Sequence, residues 1–228
     1  MKATLTEETK ETNEIVSETP EESSLALTGN EDIVGDFDSS DLTFPTLSIA
    51  QGVGPLADDW EKGDMVIDGE FKLDSPAELT VLRVNKRFVE NIPYGADETP
   101  RVLNSKEDVL AAGGTTSWDD GPPSFKAVAD CLVCIHGPSK ASQIEFPFEL
   151  GKNRYLFAMW RIKGASYKHA AKTIIQAAKM YYRNTLREGT FFLNPTKEVN
   201  NGNSYIVAKL VRGSMNDAKF ISWLGEFA

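Results

Sequence analysis

The sequence predicts a mostly-β member of the α+β class, and three observations support this. Several short segments between Thr43 and Ile162 carry alternating apolar residues, which is typical of strands. One later segment, from Ser166 to Leu186, instead repeats its apolar residues with helical spacing. The 228 residues are 41% hydrophobic and 25% charged, a composition that allows one large folded domain.

Charge is distributed unevenly along the chain. Residues 1–42 contain twelve acidic residues and two lysines, whereas residues 43–228 contain 22 of each sign. The first segment is rich in Glu, Thr and Ser and has few apolar side chains, so we expect it to be disordered. The sequence therefore predicts an acidic tail, 1–42, and a single domain, 43–228. Within that domain, residues 152–188 hold nine basic residues and one acidic residue, which suggests a negatively charged partner.

The first half of the domain is predicted to be strands. DLTFPTLSIAQ opens it as an extended run, because Pro45 disfavours helix at the preceding residue. DMVIDGEFKL predicts two strands around a turn at Asp68–Gly69, and ELTVLRVNKRFVE predicts another strand. A long segment rich in Gly, Pro and Asp follows, and we expect one short helix in it, near Lys106 to Ala111.

The second half contains the predicted helix. SFKAVADCLVCIHG and QIEFPFELG are separated by PSKAS and are candidates for a hairpin, and RYLFAMWRIKG predicts a further strand. The helix that follows is predicted to be capped by Ser166 and to end near Gly189. TFFLNP and SYIVAKLVR then form strands on either side of NNGN. Residues 214–228 have helical spacing and could either dock a partner or close the core.

The predicted helix carries a row of cations on one face. Lys168, Lys172, Lys179 and Arg183 recur at intervals of four, seven and four residues, and Arg187 continues the row. Like charges on one helix face repel each other unless something negative lies nearby. Nucleic-acid phosphates would meet that need. A second row is free to pack on a sheet and consists of Tyr167, Ala171, Ile174, Ala178, Tyr181 and Thr185.

The strand before the helix mixes cations with aromatic rings. The candidate nucleic-acid-binding residues in and around it are Lys152, Arg154, Tyr155, Trp160, Arg161 and Lys163. Cations follow a phosphate backbone, and flat rings stack on unpaired bases. This mixture suits single strands, because the chain shows no recognition-helix or zinc-finger pattern. The alternative is that the basic face is ordinary solvated surface and the rings belong to the core.

Other sites have less support. Cys131 and Cys134 form a C-x-x-C, but the chain has only two histidines to complete a zinc site, and the two thiols of a strand would point to opposite faces. Asp68, Glu70 and Lys72 resemble part of a magnesium-dependent nuclease centre. No phosphate-binding loop of the G-x-x-x-x-G-K-[ST] type is present. We therefore predict a protein without metal, cofactor or enzymatic activity, with a nuclease as an alternative.

The favoured architecture is a small barrel of the oligonucleotide-binding (OB) type, elaborated by the long loop and the basic helix. FPTLSIAQ, YLFAMWRIKGASYKHAAK, YIVAKL and the charged tail together resemble the single-stranded DNA-binding proteins of tailed phages. The resemblance implies a protein that coats single strands during replication or recombination and recruits other proteins. In that family the acidic tail is commonly C-terminal, whereas here it is N-terminal.

These observations give a set of expected properties. The partner is single-stranded DNA or RNA, together with replication or recombination proteins, and a homo-oligomer is compatible with the sequence. The first thirty residues lack a signal peptide's apolar stretch and no apolar run is long enough to span a bilayer, so we expect a cytoplasmic protein, in the host cytoplasm if the source is viral. The principal alternative is a virion structural or assembly protein, which predicts large symmetric oligomers.

Overall fold

The computed structural model describes residues 43–93, 98–119, 121–137, 146–183, 185–200 and 202–227. The predicted acidic tail, 1–42, lies outside these residues. The described part is mostly β with a few short helices, as the sequence predicts. The strands are β1 (Thr46–Ile49), β2 (Met65–Ile67), β3 (Phe71–Leu73), β4 (Ala77–Glu90), β5 (Val102–Leu103), β6 (Phe125–His136), β7 (Phe148–Leu150), β8 (Asn153–Ile162), β9 (Gly189–Asn200) and β10 (Asn203–Met215).

The helices are short and lie between or after the strands. Two short 3₁₀ turns, Leu186–Glu188 and Gly225–Phe227, complete the secondary structure. The helical elements are α1 (Lys106–Ala111), α2 (Gly164–Ser166), a π-helical turn (Tyr167–Ala171), α3 (Lys172–Met180) and α4 (Ala218–Leu224). No helix among the described residues is long and apolar enough to cross a lipid bilayer.

All ten strands belong to one sheet, whose order is β10-β9-β4-β6-β8-β1-β2-β3. β5 pairs with β4, and β7 pairs with β8. Every pairing is antiparallel except that between β1 and β8. The sheet curls into an open half-barrel, which agrees with the predicted barrel-like α+β class.

Side chains bridge the open side of the half-barrel. The amide of Ile206 donates to Gln51 Oε1 at 3.2 Å, and the amide of Ala208 donates to Ser166 Oγ at 2.9 Å. Lys62 Nζ donates to the carbonyl oxygen of Ser204 at 2.5 Å. Three side chains from other elements therefore satisfy backbone groups along the first half of the edge strand β10.

The sheet is buried on both faces. The larger core, on the first face, lies under α2, the π-helical turn and α3, and it contains Trp160, Ile174 and Phe191. The smaller core, on the second face, lies under α4 and contains Phe157 and Phe220. Because both faces are covered, the centre of β6 is a continuous buried run rather than an alternating one.

Several local predictions are confirmed. The β2–β3 turn uses Asp68 and Gly69 with φ of 51° and 77°, as a tight hairpin turn requires. The helix α1 lies at Lys106–Ala111, where Ser105 and Asp108 form a capping box. Side-chain alternation is interrupted within β4, because the register with β6 shifts between Val81 and Arg83 and reverses the faces that the side chains occupy.

The predicted hairpin between β6 and the following segment is wrong. β6 pairs with β4 and β8, whereas β7 forms its hairpin with β8, through Gly151 and Lys152. Residues 138–145 of the predicted turn region lie outside the described residues. β8 is long and buried on both sides, so it offers β6 a larger pairing surface than the three-residue β7 does.

Candidate nucleic-acid interface

The basic helix, made of α2, the π-helical turn and α3, packs on the first face of the sheet through small residues. Ala170, Ala171, Ile174 and Ala177 are buried there. His169 Nε2 lies 3.5 Å from Glu198 Oε2 on β9, which joins the helix to the β9–β10 hairpin. The small side chains permit a close approach to the sheet, so the long cationic side chains are left on the outer side.

The start of this helix differs from the prediction. Ser166 does not cap it, because its hydroxyl accepts the amide of Ala208 instead. The helix begins at Gly164, and the N-cap residue Lys163 makes no side-chain capping bond. A serine near a helix start is a common capping signal, but here the edge of β10 competes for the same oxygen.

The end of the helix also differs, and this changes which tyrosine is exposed. The predicted helix reaches Leu186, whereas α3 ends at Met180 and Tyr181 has φ −123° and ψ −31°. Leaving helical geometry there turns Tyr182 into the core and leaves Tyr181 52% exposed. A Cβ atom at Gly189 would collide with the Tyr182 side chain, so the close packing of this ring requires glycine.

Four predicted cations are exposed along the outer side of the helix and its end. We call Lys168, Lys172, Lys179 and Arg183 the basic helix surface. In the described ranges, no carboxylate oxygen lies within 4.0 Å of their charged groups. Only the backbone amide of Arg183 meets an acid, Glu188 Oε2 at 2.6 Å. These charges are therefore available to an anionic partner.

The other predicted cations divide into free and engaged groups. Lys152 and Lys163 are exposed, and they too lack a carboxylate partner among the residues described. Arg154 Nε lies 3.0 Å from Glu149 Oε1. Arg187 is half-buried, with its Nε 3.2 Å from Thr185 Oγ1, and its carbonyl accepts from Asn216. Arg187 thus supports the local structure and does not extend the basic helix surface.

The two predicted stacking rings do not reach the surface. Tyr155 is 5% exposed and Trp160 is 3% exposed, and they lie in the cores on opposite faces of β8. Stacking on a base needs an open ring face, which neither ring has here. The prediction that these two rings contact nucleic acid is therefore wrong for this structure, because both faces of β8 are covered by other elements.

Tyr181 is the aromatic ring that the basic helix surface does present. The guanidinium carbon of Arg212, on β10, lies 3.8 Å from the centre of its ring. This cation–π contact fixes the position of the ring, and about half of the side chain remains exposed to solvent. In the sequence, Tyr181 lies between Lys179 and Arg183. Helical spacing predicts that Tyr181 packs in the core. Its exposure instead follows from the end of α3 at Met180.

A second group of cations lies on the other face of the sheet. The carboxylate of Asp130 is 7% exposed and accepts two hydrogen bonds from Arg161, at 2.6 and 3.1 Å. Arg87 Nε lies 3.6 Å from the same carboxylate. The hydrogen bonds to Asp130 raise the pKa of the Arg161 guanidinium further, so it stays charged.

The strand register adds two exposed cations to this face. Arg83 pairs with Leu132 and Lys126 pairs with Val89, and both fall on the face that carries Asp130. We call Arg83, Arg87, Lys126 and Arg161 the basic sheet surface. Sequence reasoning identified only Arg161. The four-residue spacing of Arg83 and Arg87 is visible in the sequence, but their neighbours depend on the pairing of β4 with β6 and of β6 with β8.

The alternative sites are mostly engaged in local structure. Lys72 Nζ lies 2.6 Å from Asp64 Oδ1, and Asp68 Oδ1 accepts the Thr46 amide at 2.6 Å. The described residues contain no cluster of three or more His, Cys, Asp or Glu side chains suited to a metal ion. Cys131 and Cys134 are buried in different cores, as the strand geometry predicts, and burial raises the pKa of Cys131 to about 12.

Comparison of this chain with protein-family models, with curated proteins and with solved structures finds no match.

Proposed function

We propose that this protein binds single-stranded DNA without sequence specificity and without catalysing a reaction on it. The observation that carries the proposal is the basic helix surface, which groups four exposed cations without a carboxylate within 4.0 Å in the described structure. Phosphates would neutralise these charges, and the release of counterions from the nucleic acid would favour binding.

Tyr181 gives the proposed surface its preference for single strands. A base can stack on an exposed ring only when it is unpaired, and such stacking tolerates every base. Arg212 orients the Tyr181 ring from one side at 3.8 Å. Tyr181 therefore takes the role that the sequence pattern assigned to Tyr155 and Trp160.

The fold supports the proposal through its architecture. A curled, mostly antiparallel sheet with a few short helices is compatible with a barrel of the OB type, a fold that binds oligonucleotides. We propose that the protein acts in replication or recombination, in the cytoplasm, where coated single strands also recruit partner proteins. These assignments follow the resemblance to tailed-phage single-strand binders.

The two basic surfaces make the proposal testable, because they lie on opposite faces of the sheet. The helix variant replaces Lys168, Lys172, Lys179 and Arg183 with Gln, and the matched sheet variant replaces Arg83, Arg87 and Lys126 with Gln. The binding of labelled oligo-dT, duplex DNA and RNA is measured by fluorescence anisotropy at about 50 mM salt, where phosphate contacts are strong. Circular dichroism checks that each variant is folded.

The proposal predicts that intact protein prefers oligo-dT to duplex and that the helix variant binds at least about tenfold more weakly. A Tyr181→Ala variant should also weaken oligo-dT binding by about fivefold or more, since stacking contributes about 1–3 kcal/mol per base. Loss of binding only in the sheet variant would move the interface to the other face. Absence of binding in every form would favour the assembly alternative.

A further inference from the structure

The chain enters the folded domain on the second face of the sheet, the face that carries the basic sheet surface. Phe44 packs against the core of this face, with its ring centre 6.3 Å from that of Phe157. The carbonyl oxygen of Pro45 then accepts the Met159 amide at 2.8 Å, and β1 continues beside β8. Residues 1–42, with twelve acidic residues and two lysines, therefore join the domain on this face.

The basic sheet surface has positive charge that the described part of the domain does not neutralise. Arg83 and Lys126 are exposed, and in the described ranges no carboxylate oxygen lies within 4.0 Å of their charged groups. Arg87 and Arg161 share the carboxylate of Asp130, and their side chains are still 41% and 50% exposed. Four cations against this one carboxylate leave a charge of +3. Three of the four are arginines, whose planar guanidinium groups fit carboxylates with two parallel hydrogen bonds.

The part of the tail next to the domain matches this surface in charge and in apolar content. We call residues 31–42, EDIVGDFDSSDL, the proximal acidic segment; it contains five acidic residues and no basic residue. It also contains isoleucine, valine and phenylalanine. On the basic sheet surface, Val89 pairs with Lys126 and is half-buried, and Met159 is half-buried on the same face. These side chains offer apolar contact beside the cations.

The proximal acidic segment is long enough to cover all four cations. Strands rise about 3.3 Å per residue and lie about 4.8 Å apart, so the strand register places these cations about 15–30 Å from Thr43. Twelve extended residues span up to about 40 Å. A short tether also gives the segment an effective concentration of about millimolar order, so a few charge-assisted hydrogen bonds are sufficient to hold it.

We infer that the proximal acidic segment docks on the basic sheet surface of its own chain. Asp36, Asp38 and Asp41 face the guanidinium groups, and the apolar residues between them pack beside Val89 and Met159. The basic helix surface lies on the first face, on the other side of the sheet from the point of attachment. Docking therefore leaves the proposed nucleic-acid surface accessible, and the inference does not depend on the proposed function.

A spin label next to the segment tests this in the full chain. Asn30→Cys leaves residues 31–42 unchanged, and Cys131 and Cys134 are buried, so the label attaches to the new thiol. Amide signals in NMR spectra then show which residues lie near the label. We expect Arg83, Arg87 and Lys126 to lose about half of their intensity or more at about 50 mM salt and to recover at about 500 mM, because salt screens charge pairs. The amides of Lys172 and Lys179, on the helix, should keep their intensity at both salt concentrations.

Variants separate specific docking from a general attraction of opposite charges. The acid variant replaces three carboxylates of the segment with amides: Asp36→Asn, Asp38→Asn and Asp41→Asn. The matched control removes the same charge farther from the domain: Glu7→Gln, Glu11→Gln and Glu14→Gln. Line broadening at the basic sheet surface should disappear in the acid variant and in the sheet variant, and it should persist in the control and in the helix variant. Circular dichroism checks that each variant is folded.

Four results would overturn the inference. The first is the absence of salt-dependent broadening at the basic sheet surface of the intact protein. The second is broadening at Lys172 and Lys179 instead, which would place the segment on the helix. The third is an equal loss of broadening in the acid variant and its control. The fourth is displacement of the segment by saturating oligo-dT, which would assign this surface to nucleic acid.

Discussion

At the scale of residues, the buried carboxylate of Asp130 shows how strand pairing brings charged side chains together. Asp130 lies in β6, and the sequence gives no reason to single it out. The register brings Arg161 of β8 directly opposite it and Arg87 of β4 within 3.6 Å. One nearly buried carboxylate thus holds two guanidinium groups on the second face, and both arginine side chains remain about half exposed.

Replacing Asp130 with Ala should therefore lower the free energy of unfolding by about 1–3 kcal/mol, because charge-assisted hydrogen bonds to a buried group are lost. Chemical denaturation followed by circular dichroism measures the change. The matched control is Glu149→Ala, which removes an exposed partner of Arg154 and should cost about 0.5 kcal/mol or less. Equal effects of the two substitutions would contradict the role given to Asp130.

The ion pair of Glu90 and Arg101 makes a prediction about pH. The Arg101 guanidinium donates to both carboxylate oxygens at 2.9 and 2.6 Å, and these hydrogen bonds lower the pKa of Glu90 to about 2. The folded pKa lies below the unfolded value, so the contribution to stability is complete above about pH 4.5. It is lost as the pH falls towards 2.

A carboxyl-carbon NMR titration should find the pKa of Glu90 near 2 in the intact protein and well above that in Arg101→Gln. Lys106→Gln is the control, because Lys106 lies close in sequence but forms no ion pair among the residues described. A Glu90 carboxyl that titrates at an ordinary value in the intact protein would show that this ion pair does not form in solution.

At the scale of elements, the C-terminal helix closes the second face of the sheet. Asp217 caps α4 by accepting the Phe220 amide at 2.8 Å, and Phe220 and Leu224 are buried. Phe220 stacks on Tyr155 at 4.8 Å, and Trp223 stacks on Phe220 at 5.7 Å. Of the two hypotheses for residues 214–228, the contacts support closure of the core.

Phe220→Ala should consequently lower the free energy of unfolding by about 3–5 kcal/mol, the usual cost of removing a buried ring. Trp118→Ala is the matched control, because Trp118 is 68% exposed and its loss should change stability by no more than about 0.5 kcal/mol. Thermal and urea unfolding measure both. If Phe220→Ala is as stable as Trp118→Ala, α4 does not pack on the sheet in solution.

Local sequence signals predict most of the turns and helices, whereas the strand partners depend on residues that are distant in the sequence. The Asp68–Gly69 turn, the capped helix α1 and the apolar spacing of α4 each depend on a few neighbouring residues, so the sequence is sufficient for them. The partner of β6 depends on residues far away in sequence. The contacts of Ser166 and Tyr181 likewise depend on β10. This strand donates the Ala208 amide to the Ser166 hydroxyl and places Arg212 over the Tyr181 ring.

The candidate nucleic-acid interface also has features that local sequence predicts and features that depend on the arrangement of the strands. Four of the five cations of the predicted row are exposed, whereas Arg187 is half-buried because α3 ends at Met180, before the row is complete. The burial of Tyr155 and Trp160 could not be predicted, since it requires knowing that both faces of β8 are covered. The basic sheet surface also arises only when β4, β6 and β8 are placed side by side.

At the scale of the whole molecule, exposed cations are divided between the two faces of one curled sheet. The basic helix surface lies over the first face, and the basic sheet surface lies on the second face with Asp130 partly neutralising it. An oligonucleotide bound to the first face would contact cations that have no internal partner in the described structure. Most of the electrostatic free energy of binding is therefore expected from the helix.

The salt dependence of oligo-dT binding tests this account most directly. Each phosphate contact to a single strand contributes about −0.7 to the slope of log K against log salt concentration, so the four helix cations should contribute about −3. Measured between about 50 and 200 mM salt, intact protein and the sheet variant should both show this steep slope, and the helix variant should be nearly flat. An equally steep slope in the helix variant would contradict the claim that the basic helix surface binds the phosphate backbone.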